Sequence, residues 1–282
     1  MAKTFFHRFV SRYRKNGILS YLLELTGSES HPKKWVFIVG CYNSGTTLLE
    51  GVLSAHATIG SLNDEGVILT NKLKRPEDFG YNRIWYPVVE KLLIDPEDPE
   101  AHNKAAAIKR HWSHFFDRRK DIFVEKSISN SVRIDFFHKF FTPAYFIYII
   151  RNGYAVSEGI RRKAFPGKGR KTTMKQYPIE MCAQQWRESD ILIRRLLAGK
   201  NALTITYEDL TENPTDVVGR ICRFLDIDSF EPQVFLNSYH IHGNKSQIEN
   251  MNLIQIERLS AQDISAIREN AKDVLDLYNY AP

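Results

Sequence analysis

Residues 35–53 constrain this chain more than any other stretch. Trp35-Val36-Phe37-Ile38-Val39-Gly40 is almost wholly apolar, and the loop Cys41-Tyr42-Asn43-Ser44-Gly45 joins it to the helical run Thr46-Thr47-Leu48-Leu49-Glu50-Gly51-Val52-Leu53. A short continuous apolar run is the pattern of a strand buried on both faces, as in a parallel sheet covered by helices. Gly40 ends the strand, and Gly45 allows a tight turn into the helix. A loop of this kind leaves several backbone N–H groups unpaired at a helix N-terminus. The helix dipole adds to them, so the arrangement suits an anion, usually phosphate.

The rest of the chain repeats the alternation. Residues 58–62, 122–124, 144–150 and 203–206 read as further strands. Helical spacing covers 130–141 and 178–197, the latter stopped by Gly199. Asn213-Pro214 should cap a helix running to Leu225, and Ser260 with Asp263 should cap a last one carrying Ile264, Ile267, Ala271, Val274 and Tyr278. This predicts an α/β fold, P-loop-like and three-layered, with a mostly parallel central sheet flanked by helices. No linker or internal repeat divides it, so residues 1–282 read as one domain. Within it, 1–33 form a basic helical N-terminal extension, and the Pro-, acid- and aromatic-rich stretch 67–120 forms a helical insertion.

Bulk properties exclude some classes. No segment approaches the roughly 20 apolar residues that span a bilayer. The first 25 residues scatter His7, Arg8, Arg12, Arg14 and Lys15 among apolar positions, leaving no secretory h-region. That basic amphipathic stretch reads as a solvated helix packed on the domain, with at most peripheral membrane contact. Cys41, Cys182 and Cys222 are odd in number and far apart, with no metal-ligand spacing, which fits a reducing, cytoplasmic setting. A net charge of +6 suits an anionic ligand, but the charges are dispersed along the chain.

In an open parallel sheet, ligands bind beyond the carboxyl ends of the strands. The ends to inspect are therefore residues 40–47, Glu125-Lys126, Arg151-Asn152 and Tyr207-Glu208. The first nearly matches a nucleoside-triphosphate loop, G-x-x-x-x-G-K-[ST], but Thr46 replaces the lysine that serves β- and γ-phosphates. Ser44-Gly45-Thr46-Thr47-Leu48-Leu49 instead resembles the 5′-phosphosulfate loop of sulfotransferases that use 3′-phosphoadenosine 5′-phosphosulfate (PAPS). Residues 146–163, from Phe146 through Arg151-Asn152 to Lys163, resemble that family's 3′-phosphate segment. Glu125-Lys126-Ser127 resembles its strand ending in a lysine near the sulfuryl group. Trp186, Tyr207-Glu208-Asp209-Leu210, Asn213-Pro214 and Gly243-Asn244-Lys245-Ser246 are similar to later landmarks of the tyrosylprotein and bacterial branches.

The resemblance implies a metal-free enzyme that transfers a sulfuryl group from PAPS to a hydroxyl or amine acceptor by in-line displacement, releasing adenosine 3′,5′-bisphosphate. It implies a donor site of Asn43, Ser44, Gly45, Thr46, Thr47, Leu48, Arg151, Ser157, Gly159, Tyr207, Asn244, Lys245 and Ser246. It also implies catalysis by Lys126 and a carboxylate, Glu65 or Asp64, with Glu65 preferred and His56, His111, His114 and His138 as fallbacks. Two positions depart from the family pattern. Asn43 stands where many relatives have Arg or Lys, and Gly159 stands where they have serine, Ser157 being the nearest hydroxyl. The expected partners are the nucleotide and a glycan, peptide or small-molecule acceptor, without nucleic acid; a homodimer is compatible. Lys163, Lys168, Arg170, Lys171 and Lys175 form a basic stretch, read as a solvated loop that would also suit an acidic acceptor. The competing readings are a P-loop phosphotransferase, disfavoured by Thr46, and a non-catalytic nucleotide-binding or basic module.

Overall fold

The computed structural model describes residues 2–62, 64–166, 175–230, 239–241, 244–246 and 248–282. Strand β1 (Lys34–Gly40) occupies the middle of the sheet because both of its faces are apolar. Trp35, Phe37 and Val39 enter one core, while Val36 and Ile38 enter the other. After β1 come α3 (Thr46–Leu53) and β2 (Ile59–Ser61), preceded in the chain by α1 (Ala2–Tyr13) and α2 (Gly17–Thr26). Next are α4 (Val89–Leu92), α5 (Ala101–Trp112), β3 (Ile122–Glu125), α6 (Ile134–Phe140), β4 (Ala144–Ile150), α7 (Gly153–Lys163) and α8 (Ile179–Leu197). Then follow β5 (Ala202–Thr206), α9 (Tyr207–Glu212), α10 (Pro214–Leu225), β6 (Tyr239–Ile241), β7 (Asn244–Ser246), α11 (Asn252–Ile256) and α12 (Ala261–Leu277).

Five strands pair in the order β2-β3-β1-β4-β5, all parallel, and β6 and β7 form a separate antiparallel pair. β4 repeats the two-sided pattern of β1, with Phe146, Tyr148 and Ile150 on one face and Ile147 and Ile149 on the other. Helices α5, α6, α8 and α12 cover the first core, and α3 and α10 the second. This is the layered α/β architecture that the alternation of strands and helices predicts. Among the described residues no helix is long and apolar enough to cross a membrane.

Local rules explain several boundaries. Ser260 Oγ accepts from Asp263 N at 3.1 Å while Asp263 Oδ2 accepts from Ser260 N at 2.9 Å, the capping box expected at α12. Pro214 opens α10, but Asn213 makes no side-chain capping bond, contrary to the expectation from sequence. The helical spacing over 130–141 is also broken: a 3₁₀ turn (Ile128–Val132) meets α6 at Arg133. Arg133 is 1% exposed, and its guanidinium donates to Leu92 O, Ser129 O, Asn130 Oδ1 and Lys74 O. That buried cation ties residues 74–92 onto the sheet layer. Gln185 on α8 adds a second tie, its Oε1 accepting from Trp85 N and Tyr86 N.

Candidate active site

The carboxyl ends of β1, β3, β4 and β5 open into one cavity of about 910 Å³. Asn43, Gly45, Thr46, Thr47 and Leu48 line it, while Ser44 is buried behind them. The loop is shaped by two left-handed residues, Asn43 (φ 65°) and Gly45 (φ 94°). Asn tolerates that region better than most side chains, and Gly tolerates it best. Gly45 is also required by packing, because a β-carbon there would lie 2.5 Å from Cδ2 of Tyr207. Helix α3 has Gly45 as its N-cap residue, with no side chain to cap it, and none of the described side chains does so. Its first N–H groups are therefore available to an anion, and the helix dipole supports one.

Arg151 stands one residue past β4, where the strand leaves the sheet. Its guanidinium lies over the Tyr207 ring, 4.0 Å from the centroid. Arg151 Nη1 donates to Asn43 O at 2.9 Å and Nε to Asn252 Oδ1 at 2.7 Å. Asn252 is oriented in turn by donating to Glu208 Oε1, which also accepts from Asn152 N. Trp186 Nε1 donates to Arg151 O at 3.0 Å, so this tryptophan holds the strand end from below. Burial lowers the Arg151 pKa, with Tyr207 and Glu208 opposing the shift. Among the described residues its Nη2 has no hydrogen-bond partner, and neither does the buried Nδ2 of Asn43.

The end of β3 works by alternation. Glu125 and Ser127 bind the 66–67 backbone, while Lys126 between them lines the cavity. Glu125 Oε1 accepts from Gly66 N at 3.0 Å and from Ser127 Oγ, and Val67 N donates to Ser127 Oγ at 3.0 Å. These bonds fix the turn that carries Asp64 and Glu65, both of which line the cavity with Lys126. Asp64 is exposed, whereas Glu65 is partly buried. Burial raises the Glu65 pKa, with Lys126 and Arg75 opposing. For Lys126, burial favours the neutral amine, but Glu65, Glu50 and Asp64 outweigh it and raise the pKa, so the group stays an ammonium.

Glu50 was not singled out from sequence. It lies on the buried side of α3 with Oε2 3.8 Å from Lys126 Nζ, and burial lifts its pKa to about 7 against the pull of that lysine. A carboxylate four residues into a helix carries no local signal; only the β3 lysine facing it gives it meaning. The same holds for the cations Arg75, Arg83, Arg162 and Arg258 on the cavity wall, which come from distant parts of the chain and join Lys163 of the basic stretch there. Asn82 explains one of these meetings. Its Oδ1 accepts from Phe165 N at 3.0 Å, which brings Arg83 beside the end of α7.

A family model described as the sulfotransferase family matches residues 36–232. The chain belongs to the sulfotransferase family. No curated protein matches the sequence. Among solved structures, the sulfotransferase domain of the Synechococcus PCC 7002 olefin synthase aligns at TM-score 0.58 and 19% identity, covering 91% of this chain and 98% of that one. A sulfotransferase of Mycobacterium tuberculosis aligns at TM-score 0.54 and 13% identity, covering 94% and 82%. One from Mycobacterium avium aligns at 0.51 and 13%, covering 96% and 82%. At such identities these likenesses speak for the fold alone.

The remaining candidate residues of this sulfotransferase are placed as follows. Ser157 is fully buried, and its Oγ donates to Gly153 O at 2.7 Å, within α7. Gly159 faces Asn43. Tyr207 lines the cavity, but its hydroxyl is engaged with Glu249 O at 2.8 Å and Met251 N at 3.1 Å. Asn244, Lys245 and Ser246 form the backbone of β7; their side chains, with Asn63, Lys168, Arg170, Lys171 and Gly243, lie outside the described residues. None of the four fallback histidines lines the cavity. His56 bonds Thr58 and Asp228 O, His111 bonds Thr70 and Ser20 O, His114 bonds Leu23 O, and His138 lies on α6.

Proposed function

We propose that this sulfotransferase takes its sulfuryl group from PAPS and passes it to a hydroxyl acceptor within the cavity at the strand ends, acting as a single domain. One observation carries the donor assignment. Arg151 and Asn43 line the cavity, and each keeps a buried nitrogen donor without a partner among the described residues, beside a helix N-terminus whose N-cap, Gly45, has no side chain to cap it. Unpaired buried donors are costly unless a ligand accepts from them, and a nucleotide with phosphate groups at both ends of its ribose fits that need. On this reading residues 43–48 hold the 5′-phosphosulfate and Arg151 the 3′-phosphate.

The donor supplies an activated sulfuryl group; the protein supplies position and charge. Glu65, on a turn fixed by Glu125, accepts the proton of the acceptor hydroxyl. Lys126 and the N–H groups of α3 stabilise the negative charge that grows on the departing phosphate, an effect typically of about 3–4 kcal/mol per preorganised donor. The acceptor side is basic. Arg83 and Lys163 make no ion pair among the described residues, which supports an acceptor with an anionic group near its hydroxyl. A cytoplasmic setting is consistent with three buried, unpaired cysteines.

The test is thermal stability with nucleotide and no metal. Adenosine 3′,5′-bisphosphate at a hundredfold excess over its Kd adds about 2.7 kcal/mol, a clear rise in Tm. A shift with ATP and Mg²⁺ but none with the bisphosphate would transfer the site to a phosphotransferase.

A further inference from the structure

The two N-terminal helices contribute little to the cavity and carry large apolar side chains on their outer faces. On α2, Ile18, Tyr21, Leu22 and Leu25 are 73%, 64%, 49% and 66% exposed. Their spacing of three, four and seven places them on one face. The opposite face buries Ser20, whose Oγ donates to Asn71 Oδ1 at 2.8 Å and whose carbonyl meets the fully buried His111. The same face buries Leu23 and packs Leu19 against the core, so α2 is apolar on both of its sides. Ile18, Tyr21, Leu22 and Leu25 are therefore apolar surface beyond what seats the helix.

Helix α1 shows a related pattern. Phe5, Phe9 and Tyr13 are 74%, 43% and 46% exposed, at spacings of four. Arg8 and Arg12 fall on the same side, are exposed, and have no acidic partner among the described residues. The helix has no acidic residue along its length. Its other side is anchored by the buried Val10 and by Arg14, whose Nη2 bonds both oxygens of Asp78 at 2.7 Å. The anchor fixes which residues face outward, so the basic and aromatic stripe is a presented surface rather than an accident of rotation.

We propose that this N-terminal pair docks the enzyme on an anionic lipid bilayer. Large apolar side chains on an outward face mark an interaction surface. Charge complementarity selects the occupant: unpaired arginines interleaved with aromatics on one helix, next to an aliphatic and tyrosine face on another, match an interface of phosphate headgroups over acyl chains. Ser11, on α1 between the stripe and the anchor, lines the catalytic cavity, so a docked enzyme would hold its cavity close to the membrane surface.

The experiment is co-sedimentation of the intact protein with phosphatidylcholine vesicles and with vesicles containing about one third phosphatidylglycerol. The expected result is partition onto the anionic vesicles, weakened by salt. Ile18→Ser with Leu25→Ser should lower that partition about tenfold or more, and Arg8→Glu with Arg12→Glu should abolish the preference for anionic lipid. Both variants should keep the wild-type affinity for adenosine 3′,5′-bisphosphate, which shows that the fold and donor site are intact. Absence of partition onto either vesicle would overturn the proposal. So would sedimentation of the free protein as a dimer that Ile18→Ser with Leu25→Ser dissociates, since the face would then be an interface between copies.

Discussion

Gly159 lies against Asn43: a β-carbon added at Gly159 would stand 3.2 Å from both Cβ and Cγ of the asparagine. The two positions that the sequence resemblance marks as departures therefore lie side by side. Neither is an isolated loss. Asn43 holds a left-handed backbone conformation that an arginine would strain, and Gly159 leaves the room its side chain occupies. Gly159→Ser should push Asn43 and, through Arg151 Nη1 on its carbonyl, loosen donor binding several-fold. Combined with Asn43→Gly, which vacates the space, the loss should be smaller than the sum of the two. A coupling of about 0.5 kcal/mol or more in a double-mutant cycle, measured by bisphosphate titration, checks this.

Arg151→Ala should weaken adenosine 3′,5′-bisphosphate much more than adenosine 5′-phosphosulfate. A charge-assisted contact to the 3′-phosphate is worth roughly 1.5–3 kcal/mol. Some loss is expected with both nucleotides, because Arg151 also holds Asn43 O. The difference between them is the readout, and calorimetry of the two nucleotides measures it. Equal losses would place the 3′-phosphate elsewhere.

Glu65→Gln should leave bisphosphate affinity nearly unchanged and slow sulfuryl transfer by about 10²-fold or more. Single-turnover transfer is the measurement. The exposed Asp64 is the comparison: Asp64→Asn should be close to wild type, and a collapse there with a normal Glu65→Gln would move the proton acceptor by one residue.

Glu50 ties stability to pH. Its carboxyl is raised from 4.5 to about 7 by burial, so the folded state binds its proton more tightly than the unfolded state does. Stability from this group is present below about 4.5 and declines as pH rises to about 7, the direction required when the native state holds more protons. Glu50→Gln removes that decline. The gap in Tm between pH 5 and pH 8 should be narrower in the variant than in the wild type, and an unchanged gap would refute it.

Lys163 is pushed down to about 8 by burial first and then by Arg83, Arg162 and Arg151. It is charged below that pH and neutral above it. The KM for an anionic acceptor should therefore rise as pH passes through 8, while that for a neutral acceptor should not. Lys163→Met should flatten this profile without changing bisphosphate affinity.

Residues 35–53 determined a great deal by themselves. Apolar runs too short for helices, punctuated by glycine, specify buried parallel strands, and a parallel sheet places its ligands at the carboxyl ends. Hence Gly45, Thr46, Lys126 and Arg151 could be named from the chain alone. What they could not reveal is anything that depends on which strand lies beside which. The order β2-β3-β1-β4-β5 sets Lys126 opposite Glu50 and lets Glu125 hold the turn bearing Glu65. At Arg133, where the regular helical pattern breaks, four acceptors from three segments converge on the guanidinium. Local sequence encodes backbone preference and periodicity within a few residues, whereas a buried charge takes its meaning from partners dozens of residues away. Those partners meet only when the sheet has formed.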